Sequence, residues 1–214
     1  MEIFLSLEHA QRCVDGGAAT NPHSLTLDEA ASITLYTLES PLYQLENARL
    51  RGADRNKLKA MFPLLKLQFG GISKLPAVHA TVFRGVKLDL HADYPVKKKF
   101  FWWQFTSCTS RLEVMSDPMF LGTTGARTIF SIEAWNLVSI RDFSTLKHEE
   151  ELLLLPGTYL EVVSTLDAGN GLWMIQLQQI KSPAMCDALP SVGPPSQATK
   201  TASAPAAATA AAAA

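Results

Sequence analysis

An α+β fold follows from the order of patterns along the 214 residues. Apolar residues recur at helical spacing as far as Gly70-Gly71 and alternate at strand spacing from about residue 78. Helices first and strands afterwards exclude the alternating α/β class. A composition of 47% apolar and 18% charged residues is enough for a real core.

The helical part begins with a lead-in over 1–23, helical from about 7 to 14 and closed by Gly16-Gly17. Thr26-Leu27-Asp28-Glu29 has the capping-box form, a hydroxyl at the N-cap with a carboxylate three residues on. Leu27, Ala31, Leu35 and Leu38 then give a core face. Ser40-Pro41 restarts the pattern, with Leu42 and Leu45 expected inward. Asp54 caps a further helix through Leu58, Met61 and Leu65, which Pro63 must kink or split. Strands are expected over 79–88, 100–105, 127–133, 153–155, 159–165 and 172–180, the last two joined by Asp167-Ala168-Gly169-Asn170-Gly171 as a hairpin. Residues 24–182 form one domain. The tail 183–214 holds five of the twelve prolines, many Ser and Thr, and a closing alanine run, and is expected to be disordered.

A net charge of −1 supplies no global field for nucleic acid or an anionic membrane, so neither is expected as a partner. No apolar run approaches the ~18 residues of a bilayer span. Met1 to Glu8 lacks the basic segment of a signal peptide. Three cysteines (13, 108 and 186) do not make a disulfide framework, which favours a cytoplasmic location while leaving secretion open. The five histidines are scattered, and no His or Cys spacing suits a metal.

Three stretches carry candidate chemistry. In Lys147-His148-Glu149-Glu150-Glu151-Leu152-Leu153-Leu154-Leu155-Pro156-Gly157 an acidic run enters a core strand; alternation puts Glu149 and Glu151 on one face and Glu150 on the other. In Ala80 to Leu88, Arg84 shares a face with Val82 and Val86, and Gly85 beside it permits a close approach. In Trp102 to Ser110 an aromatic strand ends in hydroxyls, with Ser107 and Thr109 on one face. Taken singly, a solvated turn, a structural ion pair and a Ser/Thr turn account for each. Lys97-Lys98-Lys99 reads as a solvated edge ahead of the aromatics. Cys108 with His148 lacks the third member and family signature of a cysteine protease.

Taken in order, these stretches resemble the Arg/Ser/Glu class of mono-ADP-ribosyltransferases, closest to the arginine-specific branch. The pieces are Leu25-Thr26-Leu27-Asp28-Glu29 leading to Leu35-Tyr36-Thr37, Val82-Phe83-Arg84-Gly85, Trp103 to Ser110, Thr128 to Ile132 and Glu149 to Thr158. Together they cover about 24–182.

The resemblance implies a two-sheet β core with an NAD cleft, and transfer of ADP-ribose from NAD, or NADP, to a protein arginine or a small guanidine. It gives Arg84 the phosphate and ribose region, the Gly85 backbone the nicotinamide amide, and Ser107 the orienting of arginine and glutamate. Thr109 keeps the hydroxyl of the serine motif, while Cys108 departs at its middle position. Glu151 is then the catalytic glutamate and Glu149 the one that holds the acceptor. Phe143 and Ser144 fall in the acceptor-recognition loop and would touch target and nicotinamide. A monomer without metal is expected. The alternatives are an NAD glycohydrolase on the same site and a non-catalytic NAD-binding module.

Overall fold

The computed structural model describes residues 2–16, 21–38, 41–118, 121–144 and 151–183. The expected disordered tail from 184 onward and Glu149 lie outside the described residues. Among the described residues four helices precede seven strands: α1 (Glu2–Asp15), α2 (Leu27–Thr37), α3 (Pro41–Arg51) and α4 (Phe62–Ile72), then β1 (Ala77–Val86), β2 (Lys99–Trp102), β3 (Thr106–Thr109), β4 (Arg127–Ser139), β5 (Glu151–Leu154), β6 (Thr158–Asp167) and β7 (Leu172–Gln179).

The capping box is formed in full: Thr26 Oγ1 accepts from the Glu29 amide at 3.3 Å, and the Thr26 amide donates to Glu29 Oε2 at 2.7 Å. The same carboxylate meets Lys74 at 2.6 Å, tying the start of α2 to the end of α4. Five consecutive residues of α2, Ala30 to Thr34, are buried, so it is covered on more sides than a single apolar stripe implies. Asp54 caps a 3-10 turn over Arg55–Met61, and the helix restarts at Phe62 with Pro63 in its first turn, as the proline demanded. α4 runs through Gly70-Gly71 rather than ending there, because a Cβ on Gly71 would sit 3.1 Å from Glu29 Cβ and from Ile33 Cδ1. The glycine permits a close crossing of two helices.

Expectation and structure part at α3. Leu45 is 44% exposed, while Glu46, Asn47 and Leu50 are buried. The buried face is polar because its partners are ready: Gln68 Nε2 donates to Glu46 Oε2 at 3.2 Å, and the Phe105 amide donates to Asn47 Oδ1 at 3.0 Å. Hydrogen-bonded polar groups tolerate burial that unpaired ones do not.

Hydrogen bonding runs continuously through all seven strands in the order β1-β3-β5-β4-β7-β6-β2. Two half-sheets share β4. One edge of β4 pairs with β1 from Ala77↔Val138 to Val86↔Thr128. On the other edge its first seven residues run parallel to β7 and its last three pair with β5. The β1 register shifts between Val78 and Ala80, where β4 changes partner, as a bulge that re-aims a strand should. The run expected as one strand over 100–105 is broken for the same reason: β2 pairs with β6 in one half, β3 with β5 in the other, and Trp103 to Phe105 cross between them. The β6–β7 hairpin turns through positive φ at Gly169, Asn170 and Gly171.

Two main cores result. Phe105, Val138, Ile140, Phe143, Leu153 and Leu155 pack with the helices, and Val82, Trp102, Phe130, Ile132, Leu137, Leu154, Leu160, Ile175 and Leu177 fill the space between the half-sheets. The lysine run is a solvated edge: Lys98 lies 5.5 Å over the Tyr94 ring and Lys99 meets Glu161 at 3.6 Å.

Candidate active site

Strand periodicity decides what β3 and β5 present. Cross-strand partners share a face, and the pairs are Thr106↔Leu154, Ser107↔Leu153, Cys108↔Leu152 and Thr109↔Glu151. Cys108, Leu152 and Leu154 enter the core between the half-sheets, and Leu153 packs on the helices. Ser107, Thr109 and Glu151 therefore lie on the helix-facing side, with Ser107 diagonal to Glu151.

β1 meets β3 at the single register Phe83↔Thr109. Beyond it Arg84, exposed, donates from Nη1 to the Ser107 carbonyl at 3.2 Å. Although its strand neighbour Val82 is fully buried, Arg84 reaches out beside β3.

Arg84, Ser107 and Glu151 line one cleft of about 450 Å³. Its remaining wall is helical: Tyr36, Thr37 and Leu38 end α2, and Tyr43, Gln44, Asn47 and Arg51 come from α3, with Gln104 and Phe105 at the base of β3. Tyr36 packs its ring 5.4 Å from Phe105 and 6.1 Å from Tyr43. Burial first, and then the charge of Glu151, raise the Tyr36 phenol above its ordinary range, so a neutral hydroxyl faces the carboxylate. Two guanidinium groups, Arg51 and Arg84, share the cleft with one described carboxylate.

Cys108 points away from all of this. It is 4% exposed, and burial pushes its thiol up to about 12, against the smaller opposing pull of Arg84. A thiol held neutral in an apolar core is no nucleophile, and the middle position of the hydroxyl motif is a packing position.

Other expected residues do not reach the cleft lining. Thr109 accepts from the Arg111 amide at 3.1 Å through Oγ1. Gly85 lies under a neighbouring segment: a Cβ there would meet Leu121 Cβ and Met115 Sδ, each at 3.1 Å. What comes close to it is protein, so packing alone already requires the glycine. Ser144 is fully buried, its amide donating to the Ile140 carbonyl at 3.0 Å, and Phe143 is 3% exposed in the helical core. Both close the short turn over Arg141–Phe143 and offer no side chain to a target in this conformation, contrary to the expectation for that loop. Tyr43, Asn47 and Arg51 were missed, and their i, i+4, i+8 spacing was the available signal.

Among the described residues no group of three or more His, Cys, Asp or Glu gathers as a metal site, and no helix is long and apolar enough to cross a membrane.

A model of the NAD:arginine ADP-ribosyltransferase family matches residues 7–185. The chain is 30% identical over 182 residues to the erythroblast NAD(P)(+)--arginine ADP-ribosyltransferase of Gallus gallus, an alignment covering 80% of this chain and 58% of that protein. It thus spans less than two thirds of the length of that relative. Among solved structures, the Vis ADP-ribosyltransferase in complex with agmatine superposes with a TM-score of 0.61 at 19% identity, covering 86% of each chain. HopU1 of Pseudomonas syringae does so with 0.67 at 19% identity, covering 80% of this chain and 86% of its own. At these identities the structural likeness establishes the fold, α+β with a mostly antiparallel core, and the sequence match establishes the kinship: the chain belongs to the NAD:arginine ADP-ribosyltransferase family.

Proposed function

We propose that the chain transfers ADP-ribose from NAD to an arginine guanidinium and releases nicotinamide. The observation that carries this reading is the convergence of Arg84, Ser107 and Glu151, from three strands, on one cleft in a chain of this family. The cleft's chemistry fits a dinucleotide. Arg51 and Arg84 match two phosphates, the rings of Tyr36, Tyr43 and Phe105 offer flat apolar surface, and Glu151 supplies negative charge.

In this reading Arg84 binds the phosphate and ribose region, and the Gly85 backbone receives the nicotinamide amide. Ser107 orients Arg84 and Glu151, with Thr109 supporting it beside Glu151. Glu151 holds the ribose next to nicotinamide and stabilises the positive charge that grows there as the glycosidic bond breaks, the electrostatic logic of glycoside cleavage. Glu149, two residues before it, holds the acceptor guanidinium and helps remove its proton. A carboxylate pairing with both nitrogens of a guanidinium selects arginine over lysine. Ser144 belongs to the nicotinamide side once its own buried side chain is exposed.

The catalytic unit is 24–182. NADP serves as an alternative donor, in keeping with the name of the avian relative. The enzyme acts as a monomer on protein arginines, without metal, nucleic acid or membrane. Three cysteines in 214 residues are too few for a disulfide framework and fit a reducing compartment, and on this sparseness we place the enzyme in the cytoplasm.

The test is nicotinamide release from NAD with and without agmatine, for wild type, Glu151→Ala and Glu149→Ala. Release should rise with agmatine and vanish in Glu151→Ala, while Glu149→Ala loses mainly transfer. Release that ignores agmatine would mark a glycohydrolase, and none at all from folded protein would mark a binding module.

A further inference from the structure

Trp103, Gln104 and Phe105 leave one half-sheet and enter the other, and each is held from the helical side. The Phe105 amide donates to Asn47 Oδ1 at 3.0 Å, Arg51 Nη1 donates to Gln104 Oε1, and the Arg55 guanidinium lies 4.9 Å over the Trp103 ring. Asn47, Arg51 and Arg55 are four residues apart, so one side of α3 and the turn after it grips three consecutive residues. Asn47 is 7% exposed, and its amide also hydrogen-bonds the Tyr36 phenol, which faces Glu151. Two residues beyond Phe105 stands Ser107, whose carbonyl accepts from Arg84.

From this chain of contacts we infer that Asn47 is a positioning residue for Ser107 and Arg84, acting through the Phe105 amide, with Arg55 as a weaker second latch on Trp103. The inference rests on the proposed transferase reading for its functional consequence and stands on geometry for its structural one. Without Asn47 Oδ1 the Phe105 amide is left inside the protein with no acceptor, so the segment must shift to find one. The shift is passed to β3, four residues long, which is paired with β5 along its length but meets β1, the strand of Arg84, at one register only, so Ser107 moves relative to Arg84. Displacement of a reacting group by about an ångström costs up to about a hundredfold in rate.

The test uses Asn47→Ala, Ser107→Ala and their double variant, with Arg55→Gln as a probe that does not line the cleft. Amide hydrogen exchange should quicken in Asn47→Ala over 105–109 while α1 and the β6–β7 hairpin keep their protection. Quickening everywhere would show general destabilisation and overturn the latch, as would unchanged exchange at 105–109. Nicotinamide release then tests the consequence. Asn47→Ala should lower kcat/KM by about tenfold or more in the wild-type background, and by at least about fivefold less when Ser107 is already alanine. Equal losses in the two backgrounds would mean that Asn47 acts without Ser107, and would overturn the positioning role. If Asn47→Ala does not fold, Arg55→Gln carries the same comparison with a loss of about two- to threefold that disappears in Ser107→Ala. Absence of release from wild type would refute the transferase reading, with exchange still deciding the latch.

Discussion

The β3–β5 pair has two faces that behave as different materials. On one, Cys108, Leu152 and Leu154 meet the apolar space between the half-sheets; on the other, Ser107, Thr109 and Glu151 meet the helical wall and its cleft. Neighbouring residues are assigned opposite tasks by the two-residue period of a strand. Residue chemistry alone would choose the thiol of Cys108 as the reactive group, yet its face makes it inert and leaves the serine beside it to the site.

If the faces are independent, changes on one should separate activity from stability. Glu151→Gln is expected to lower nicotinamide release by about 10²–10³-fold, the scale of removing one preorganised charge, with little change in the thermal midpoint. Leu154→Ala, on the opposite face of the same strand, should cost about 2–5 kcal/mol in urea unfolding, with near-normal turnover per folded molecule. A stable but inactive Leu154→Ala would show that the two faces are coupled.

The cleft side continues past Glu151 into the helical core, where Glu46 is 1% exposed and Glu46 Oε1 has no hydrogen-bond partner among the described residues. Burial raises this carboxyl from 4.5 to about 7, partly offset by the hydrogen bond from Gln68. Below pH 4.5 folded and unfolded chains both hold the proton. Between 4.5 and 7 the unfolded chain ionises first, so stability falls as pH rises, and it stays lower above 7. The loss is up to about 3 kcal/mol, and Glu46→Gln should remove most of it. Urea midpoints of both proteins at pH 5 and 7.5 check this; a parallel decline in the two would refute it. The smallest effect belongs to Cys108→Ala: activity within about twofold, about 1 kcal/mol of stability lost, and the extent of thiol alkylation of the native protein unchanged by the substitution.

Much of this molecule was legible in its sequence where the deciding partners were local. The capping box at Thr26, the split at Pro63, the hairpin through Asn170 and the alternation that separates Leu152 from Glu151 all depend on residues within a few positions. What escaped depends on partners far along the chain. Asn47 and Glu46 displaced Leu45 from the inner face of α3 because Phe105 and Gln68, 58 and 22 residues away, supply their hydrogen bonds. The break at Trp103 to Phe105 followed from a change of half-sheet that no local pattern records. Gly85 was read as permitting a close approach by another backbone or a ligand, and on its Cβ side the neighbours that come close, Met115 and Leu121, lie about 30 to 36 residues along the chain. Of the expected site, Arg84, Ser107 and Glu151 come together, while the acceptor side at Glu149 lies outside the described residues.

The shared strand β4 has a mechanical consequence. Its thirteen residues are bonded along one edge to β1 and along the other to β7 and then β5, so sliding one half-sheet past the other would break ladders on both edges at once. The β wall of the cleft is therefore a stiff jaw. The jaw that can yield is the helical one, whose grip on the sheet near the mouth runs through side chains such as Asn47 and Arg51, and changes in the width of the cleft fall to α3.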